Sequence, residues 1–183
     1  MEFALLLPVL MYILMGIIQF GFIFAVYITL NNAVREGARW ASIYIFDNAG
    51  AAAANDDSRN SGLVDRMIQS RGILSMAARG TSTANFDATA KGTLATTACP
   101  TQTPVPILAY WYGASGANPD VTLCYSIPAG VTANDPRRGY YLEAQAYYHL
   151  QVFIPLLQQF LPDDPVKGGN WIRLPGRITV VIN

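Results

Sequence analysis

The chain has 183 residues, 12 basic and 12 acidic side chains, a formal net charge of zero and only 13% charged residues. That balance offers no basic surface for nucleic acid, and the low charge suits a subunit surrounded by other subunits, since net charge accumulates along a polymer. The length allows one apolar segment plus one domain of roughly 140 residues, enough to bury a core. Mean hydropathy is +0.26, high for a soluble protein, but the excess is concentrated in the first segment.

In that segment Glu2 is the only charge before Arg35. The run from Phe3 to Leu30 would measure roughly 40 Å as a helix rising about 1.5 Å per residue, more than the ~30 Å hydrocarbon core of a bilayer. A secretory signal peptide would show a basic start, a short apolar stretch and a small-residue cleavage site. None is visible, so the segment is expected to be retained. Pro8 removes a helical hydrogen bond and bends the run locally, while Gly16 and Gly21 would let backbones approach closely. Tyr12, Gln19, Tyr27 and Thr29 add groups that can bond across helices. Two readings compete: a plain single-pass anchor, or a helix that first sits in the membrane and is later packed against copies of itself. Glu2 favours the second, because a carboxylate costs about 2.5–3.5 kcal/mol at mid-bilayer and calls for a positive partner such as a neighbour's N-terminal amine.

Three blocks, Glu2-Phe3-Ala4-Leu5-Leu6-Leu7-Pro8, Gly16-Ile17-Ile18-Gln19-Phe20-Gly21 and Asn32-Ala33-Val34-Arg35-Glu36-Gly37-Ala38-Arg39-Trp40-Ala41, together resemble the N-terminal signature of the TadE-like pilins of the type IV pilin superfamily. The resemblance implies a precursor held in the inner membrane, whose basic leader is cut by a prepilin peptidase. Assembly machinery then extracts the helix into an extracellular pilus at the cell surface, a homopolymer of the chain. In that superfamily a glutamate near the mature N-terminus helps place each new subunit, and Glu2 matches it. The candidate assembly residues are therefore Glu2, Phe3, Pro8, Gly16, Gln19 and Gly21. Two departures stand out. The family commonly has an acid where this chain has Gln19, and its glutamate usually lies about five residues into the mature chain.

After Leu30 the pattern becomes amphipathic without a break. Leu30, Val34, Gly37, Ala38, Ala41, Tyr44 and Ile45 share a stripe, with Arg35, Arg39 and Ser42 opposite. The helix is expected to run to Phe46, dividing the chain into 1–46, embedded over 1–30, and a head over 47–183. Asp47, Asn48 and Gly50 mark a turn, followed by an Ala-rich tract and the polar cluster Asn55–Asn60, which lacks the spacing and terminal glutamate of a calcium loop. A second helix is placed from Gly62, capped by Ser61, to about Gly80, with Leu63, Val64, Met67, Ile68 and Leu74 on one face. Residues 81–104 read as a solvated, Thr-rich loop able to carry O-linked sugars.

The last third reads as β-structure. Strands are expected at 105–111, at 121–126, between Tyr140 and Phe153 and from Ile172 to Ile182, the last two paired antiparallel across a short helical turn and loop. The fold class is α+β, a long N-terminal hydrophobic helix packed on a small antiparallel sheet head. Tyr110, Trp111, Tyr112, Tyr140, Tyr141, Tyr147 and Tyr148 either line subunit contacts or fill cross-strand pairs.

Cys99 and Cys124 are the only cysteines. Outside the cytoplasm they would form one disulfide worth roughly 3.5 kcal/mol by loop entropy; the alternative is two unrelated buried thiols, and two ligands alone make no zinc site. No phosphate loop, metal-ligand set, cofactor motif or nucleophile elbow is present. His149 reads as a surface or interface residue, and Glu143, Asp163 and Asp164 as solvated charges. The expectation is a structural subunit rather than an enzyme. It is a filament-forming pilin first, with a minor pseudopilin that initiates a Tad pilus, or a membrane-anchored binding module, as alternatives.

Overall fold

The computed structural model describes residues 2–43, 51–99, 106–134, 136–154, 159 and 161–183, with the side chains of 2–5 and 98 outside that description. Among the described residues two α-helices and five strands appear in the order α1 (Glu2–Ser42), α2 (Ala52–Gln69), β1 (Ala90–Thr93), β2 (Pro106–Gly113), β3 (Val121–Ser126), β4 (Tyr141–Gln151) and β5 (Trp171–Val181). The strands form one antiparallel sheet in sequence order, β1-β2-β3-β4-β5. Each strand thus pairs with its chain neighbour, which needs only short connections. The fold is α+β, as its long helix and alternating strands indicated.

Helix α1 is 41 residues long, about 60 Å at 1.5 Å per residue. Its stripe Val26, Leu30, Ala33, Val34, Ala38 and Ala41 is buried, while Arg35 and Arg39 are exposed. The stripe lies on β4 and β5 and beside α2. Small residues set the distances. A Cβ at Gly37 would sit 2.8 Å from the Leu63 carbonyl oxygen of α2, and one at Gly176 of β5 would sit 3.0 Å from Leu30 Cγ. The top of the helix is tied to the end of the sheet by the Asn183 amide, which donates to the Ser42 carbonyl at 3.0 Å. The expected extension to Phe46 and the turn at 47–50 lie outside the described residues, as does most of the helical turn expected after Phe153.

Helix α2 begins ten residues before the expected start, and Ser61 is not its cap but a buried mid-helix residue whose hydroxyl lies 3.4 Å from the Tyr112 hydroxyl. The helix also ends at Gln69 rather than near Gly80. The polar cluster expected to precede the helix lies in its first half, where Asn55, Asp56, Arg59 and Asn60 are buried. Partners on the sheet side make that burial tolerable. Asp56 meets Arg59 at 3.4 Å, Arg137 at 3.0 Å and the Tyr110 hydroxyl at 3.3 Å. Tyr125 donates to Asn60 Oδ1 at 2.5 Å, and its burial, with Asp56 nearby, pushes the phenol well above its ordinary pKa. Arg137 holds a positive φ of 59°, a conformation uncommon for a non-glycine residue, while reaching Asp56.

Of the expected loop 81–104, the described part, 81–99, is less open than expected. Phe86, Ala88 and Cys99 are buried, β1 crosses it as an edge strand, and a 3-10 turn covers Thr96–Ala98. Cys99 and Cys124 are joined by a disulfide with Cα atoms 6.2 Å apart. It ties the segment after β1 to the sheet face away from the helices, with Leu94 and Ala109 packed around it. Of the aromatics, Tyr112, Tyr140 and Tyr148 are core, and Tyr110 packs edge-on against Tyr125 at 6.0 Å.

Candidate functional site

From Leu6 to Ile18 the helix is in contact with almost nothing. Leu6, Leu7, Val9, Leu10, Met11, Ile13, Leu14, Met15, Ile17 and Ile18 are all exposed, and a Cβ at Gly16 or Gly21 would have no neighbour within 4 Å. So much apolar surface on one chain is unstable in water and marks a membrane or protein contact. The helix is long and apolar enough to cross a membrane. Pro8 lies within it, and the backbone of Glu2 and Phe3 is helical. Of the expected assembly residues, Pro8 and Gly16 thus lie on this bare segment, and Gly21, also exposed, lies three residues beyond it.

Gln19 stands apart from them. It is only 6% exposed, and its amide nitrogen Nε2 finds no hydrogen-bond partner among the described residues. A lone helix cannot bury its own glutamine to that degree, so the head reaches down α1 as far as residue 19. Buried Gln19, half-buried Ile23, then buried Val26 and Leu30 form the helical stripe that begins there.

Within the head the polar centre is His149, expected at the surface or at an interface. It is buried, and both ring nitrogens face carboxylates: Nε2 lies 2.9 Å from Asp120 Oδ1, and Nδ1 contacts Asp164 Oδ2. Each acid has a second task. Asp120 Oδ2 accepts from the Asp87 amide at 2.7 Å, and Asp164 Oδ1 accepts from the amides of Val166 at 2.8 Å and Lys167 at 3.2 Å. The His149 backbone exchanges two hydrogen bonds with Asn85, at 2.8 and 2.7 Å. Burial by itself lowers the imidazole pKa, but the hydrogen bonds and charges of Asp120 and Asp164 outweigh it and hold the ring above its ordinary value. For Asp164, burial raises the carboxyl pKa, and the bonds from His149 and the turn amides bring it below the usual range.

This arrangement is a clamp. With a carboxylate against each ring nitrogen, neither nitrogen is open to a substrate, and the ring pins three connections to β4: the 82–87 hairpin, the approach to β3 and the 164–168 turn. Asp164 is therefore not a solvated charge. Glu143 is not one either: it is buried on the face away from the helices and pairs with Arg177 at 2.5 Å, although its Oε2 has no partner among the described residues. Asp163 is exposed as expected. Asp120 was not singled out in the sequence; a lone histidine in a strand, with an Asp closing each of two nearby turns, was the signal available. No group of three or more His, Cys, Asp and Glu residues able to hold a metal occurs among the described residues.

These features define an α+β protein with an N-terminal apolar helix, bare at one end and packed on an antiparallel sheet at the other. A family model described as TadE-like protein matches residues 1–39, which is the bare segment plus most of the packed stripe. The family is a pilus component rather than a known enzyme family, and the matched segment with its apolar helix fits a pilin-like protein of the Tad pilus. No curated protein and no solved structure matches the chain significantly.

Proposed function

We propose that the chain is a structural pilin subunit. Its N-terminal helix sits in the inner membrane until a prepilin peptidase and the pilus assembly machinery have acted, and is then packed against copies of itself in a Tad-type pilus at the cell surface. The observation that carries this reading is the contrast within one helix, exposed over residues 6–18 at every position but half-buried Gly16 yet buried along a stripe above them. A helix needed only as a tether has no use for Gly16 and Gly21 spaced for close approach. Lipid is as apolar as leucine, so transfer from bilayer to filament core gains packing rather than ordinary hydrophobic energy. Glu2 and Phe3 set register, Pro8, Gly16 and Gly21 set the approach of neighbouring helices, and Gln19 marks where the 47–183 head begins to cover the helix. A second form of the same reading is a minor subunit that initiates the pilus.

Electron microscopy of material sheared from cells, with mass spectrometry of its subunits, tests this. Filaments built mainly of this chain establish a major pilin, and a trace beside another pilin establishes the initiating subunit. Exchange of Phe3–Leu30 for an unrelated apolar helix should abolish assembly. Intact assembly after the exchange would reduce the segment to an anchor.

A further inference from the structure

The end of the head nearest the bare helix is defined by the chain's own contacts. Asn183, just past β5, bonds to Ser42 at the top of α1, and Tyr141 of β4 pairs with Val181 while Gln151 pairs with Trp171. The Gln151–Trp171 end of the sheet therefore points toward the N-terminus of α1. Helix α2 runs the same way: Gly62 meets Trp40, Gly37 meets Leu63, and Gly72 meets Thr29. Ile73 and Phe153 thus both stand at the lower end of the head, 62% and 71% exposed. The 164–168 turn joins them, because the Asp164 amide bonds to Trp171, and it presents exposed Val166 and Lys167. Arg71 is also exposed beside Ile73, with one guanidinium nitrogen donating to the Met76 carbonyl, and of the acids here Asp163 is exposed while Asp164 is buried against His149.

The length of the bare helix brings this rim to the membrane. Between Glu2 and Gln19 lie the uncharged residues 3–18, about 24 Å of helix at 1.5 Å per residue, while the hydrocarbon core is about 30 Å thick. Spanning it with Glu2 at the far interface draws in roughly four more residues, which is the level at which the head already covers the helix. We propose that the lower rim of the head, Ile73, Phe153 and Val166 flanked by Arg71 and Lys167, docks on the bilayer surface before assembly, its apolar side chains entering the acyl boundary and its basic groups meeting anionic headgroups. Docking holds the head at a set height and orientation on the membrane, so extraction of the subunit breaks two lipid contacts, helix and rim. The proposal rests on the membrane-inserted reading of the helix and adds a second membrane contact to it.

The test uses the full chain in phosphatidylethanolamine and phosphatidylglycerol vesicles. Both native cysteines are in the disulfide, so a single added cysteine carries the one reactive thiol for an environment-sensitive fluorophore. Probes at Phe153→Cys and Ile73→Cys should lose fluorescence to lipid spin labels about 5–10 Å below the headgroups. A probe at Ile13→Cys should respond to deep labels, and one at Ile107→Cys, at the opposite end of the sheet where Pro106 pairs with Ser126 and Ser126 with Tyr141, should respond to neither. If Ile13 is quenched but Phe153 and Ile73 behave like Ile107, the rim does not dock and the proposal fails while the inserted helix stands. Rim probes shielded from aqueous iodide but untouched by lipid labels would assign the rim to a neighbouring subunit and also overturn it. An unquenched Ile13 probe would remove the membrane reading itself.

Discussion

The two halves of α1 use similar residues for opposite ends. Above residue 30, Leu, Val, Ala and Gly side chains form one stripe, and the glycine is needed because a backbone carbonyl lies 2.8 Å from its missing Cβ. Below residue 19 the apolar residues surround the helix, and Gly16 there, like Gly21 just above, faces open space. Periodicity, not composition, separates a helix that packs on its own head from one that waits for a partner.

The largest effect should fall on the bare half and leave the subunit intact. Gly16→Leu with Gly21→Leu inserts bulk where neighbouring helices would approach, costing roughly 1–3 kcal/mol at each crowded contact and repeating that cost along a filament. Filament yield by shearing and microscopy should collapse, while thermal unfolding of the detergent-solubilised subunit stays unchanged. Normal filaments from this variant would show that the glycines serve the membrane rather than the assembly.

Next comes the clamp that keeps the head rigid beside the packed half. His149→Ala leaves Asp120 and Asp164 buried without their shared cation, and should destabilise the head by about 3–5 kcal/mol in chemical denaturation. The pH dependence carries a sign. The imidazole pKa is raised on folding, so its contribution is complete below the unfolded value of about 6.5 and is lost as pH rises through the higher folded value. The Asp164 pKa is lowered, so its share is present above the unfolded value of about 3.9 and is lost as pH falls through the folded value. The unfolding midpoint should decline as pH rises above the unfolded histidine value of about 6.5, and His149→Gln should flatten that decline. An unchanged alkaline limb in the variant would mean that the ring is neutral in the fold.

Gly37→Ala tests the packed half directly. In a free helix alanine is favoured over glycine by about 1 kcal/mol, so a gain in stability is the default. With Leu63 O at 2.8 Å and Met67 Cβ at 3.2 Å from the new methyl, α1 and α2 must separate. The net change should instead be a loss of about 1–3 kcal/mol by calorimetry. A stabilised variant would show that the helices cross farther apart.

What the sequence made legible follows the same division. The long helix, its upper stripe and the strands after residue 105 could be read because period 3.6 and period 2 are strong signals where one face is buried. The first half of α2 could not, because Asn55, Asp56, Arg59 and Asn60 carry the composition of a loop, and their burial depends on Tyr110, Tyr125 and Arg137, which arrive from far along the chain. His149 was misplaced for a related reason. Alternation puts it opposite the helices, where it lies, but its polar neighbours on that face suggest exposure, whereas Asp120 and Asp164 close over it. The bare segment was legible as apolar. That the head extends down to residue 19 was not, since nothing local distinguishes Gln19 from Tyr12 or Tyr27.

Gln19 gives the smallest effect and tests where the boundary between the halves lies. A buried amide nitrogen without a partner costs about 1–3 kcal/mol, so Gln19→Met, similar in volume, should stabilise the isolated subunit by about 1 kcal/mol in thermal unfolding. A carboxylate in the same place would be costlier still, which gives a physical reason for a neutral amide where the resemblance leads one to expect an acid: in this chain the head covers the position. If Gln19→Met instead destabilises the subunit, the amide is bonded in the folded chain. If it leaves stability alone but lowers filament yield, the head lifts away from residue 19 during assembly and the amide meets a neighbouring helix. The bare half would then extend upward to Ile23 in the filament, and the boundary between the two halves would be a movable one.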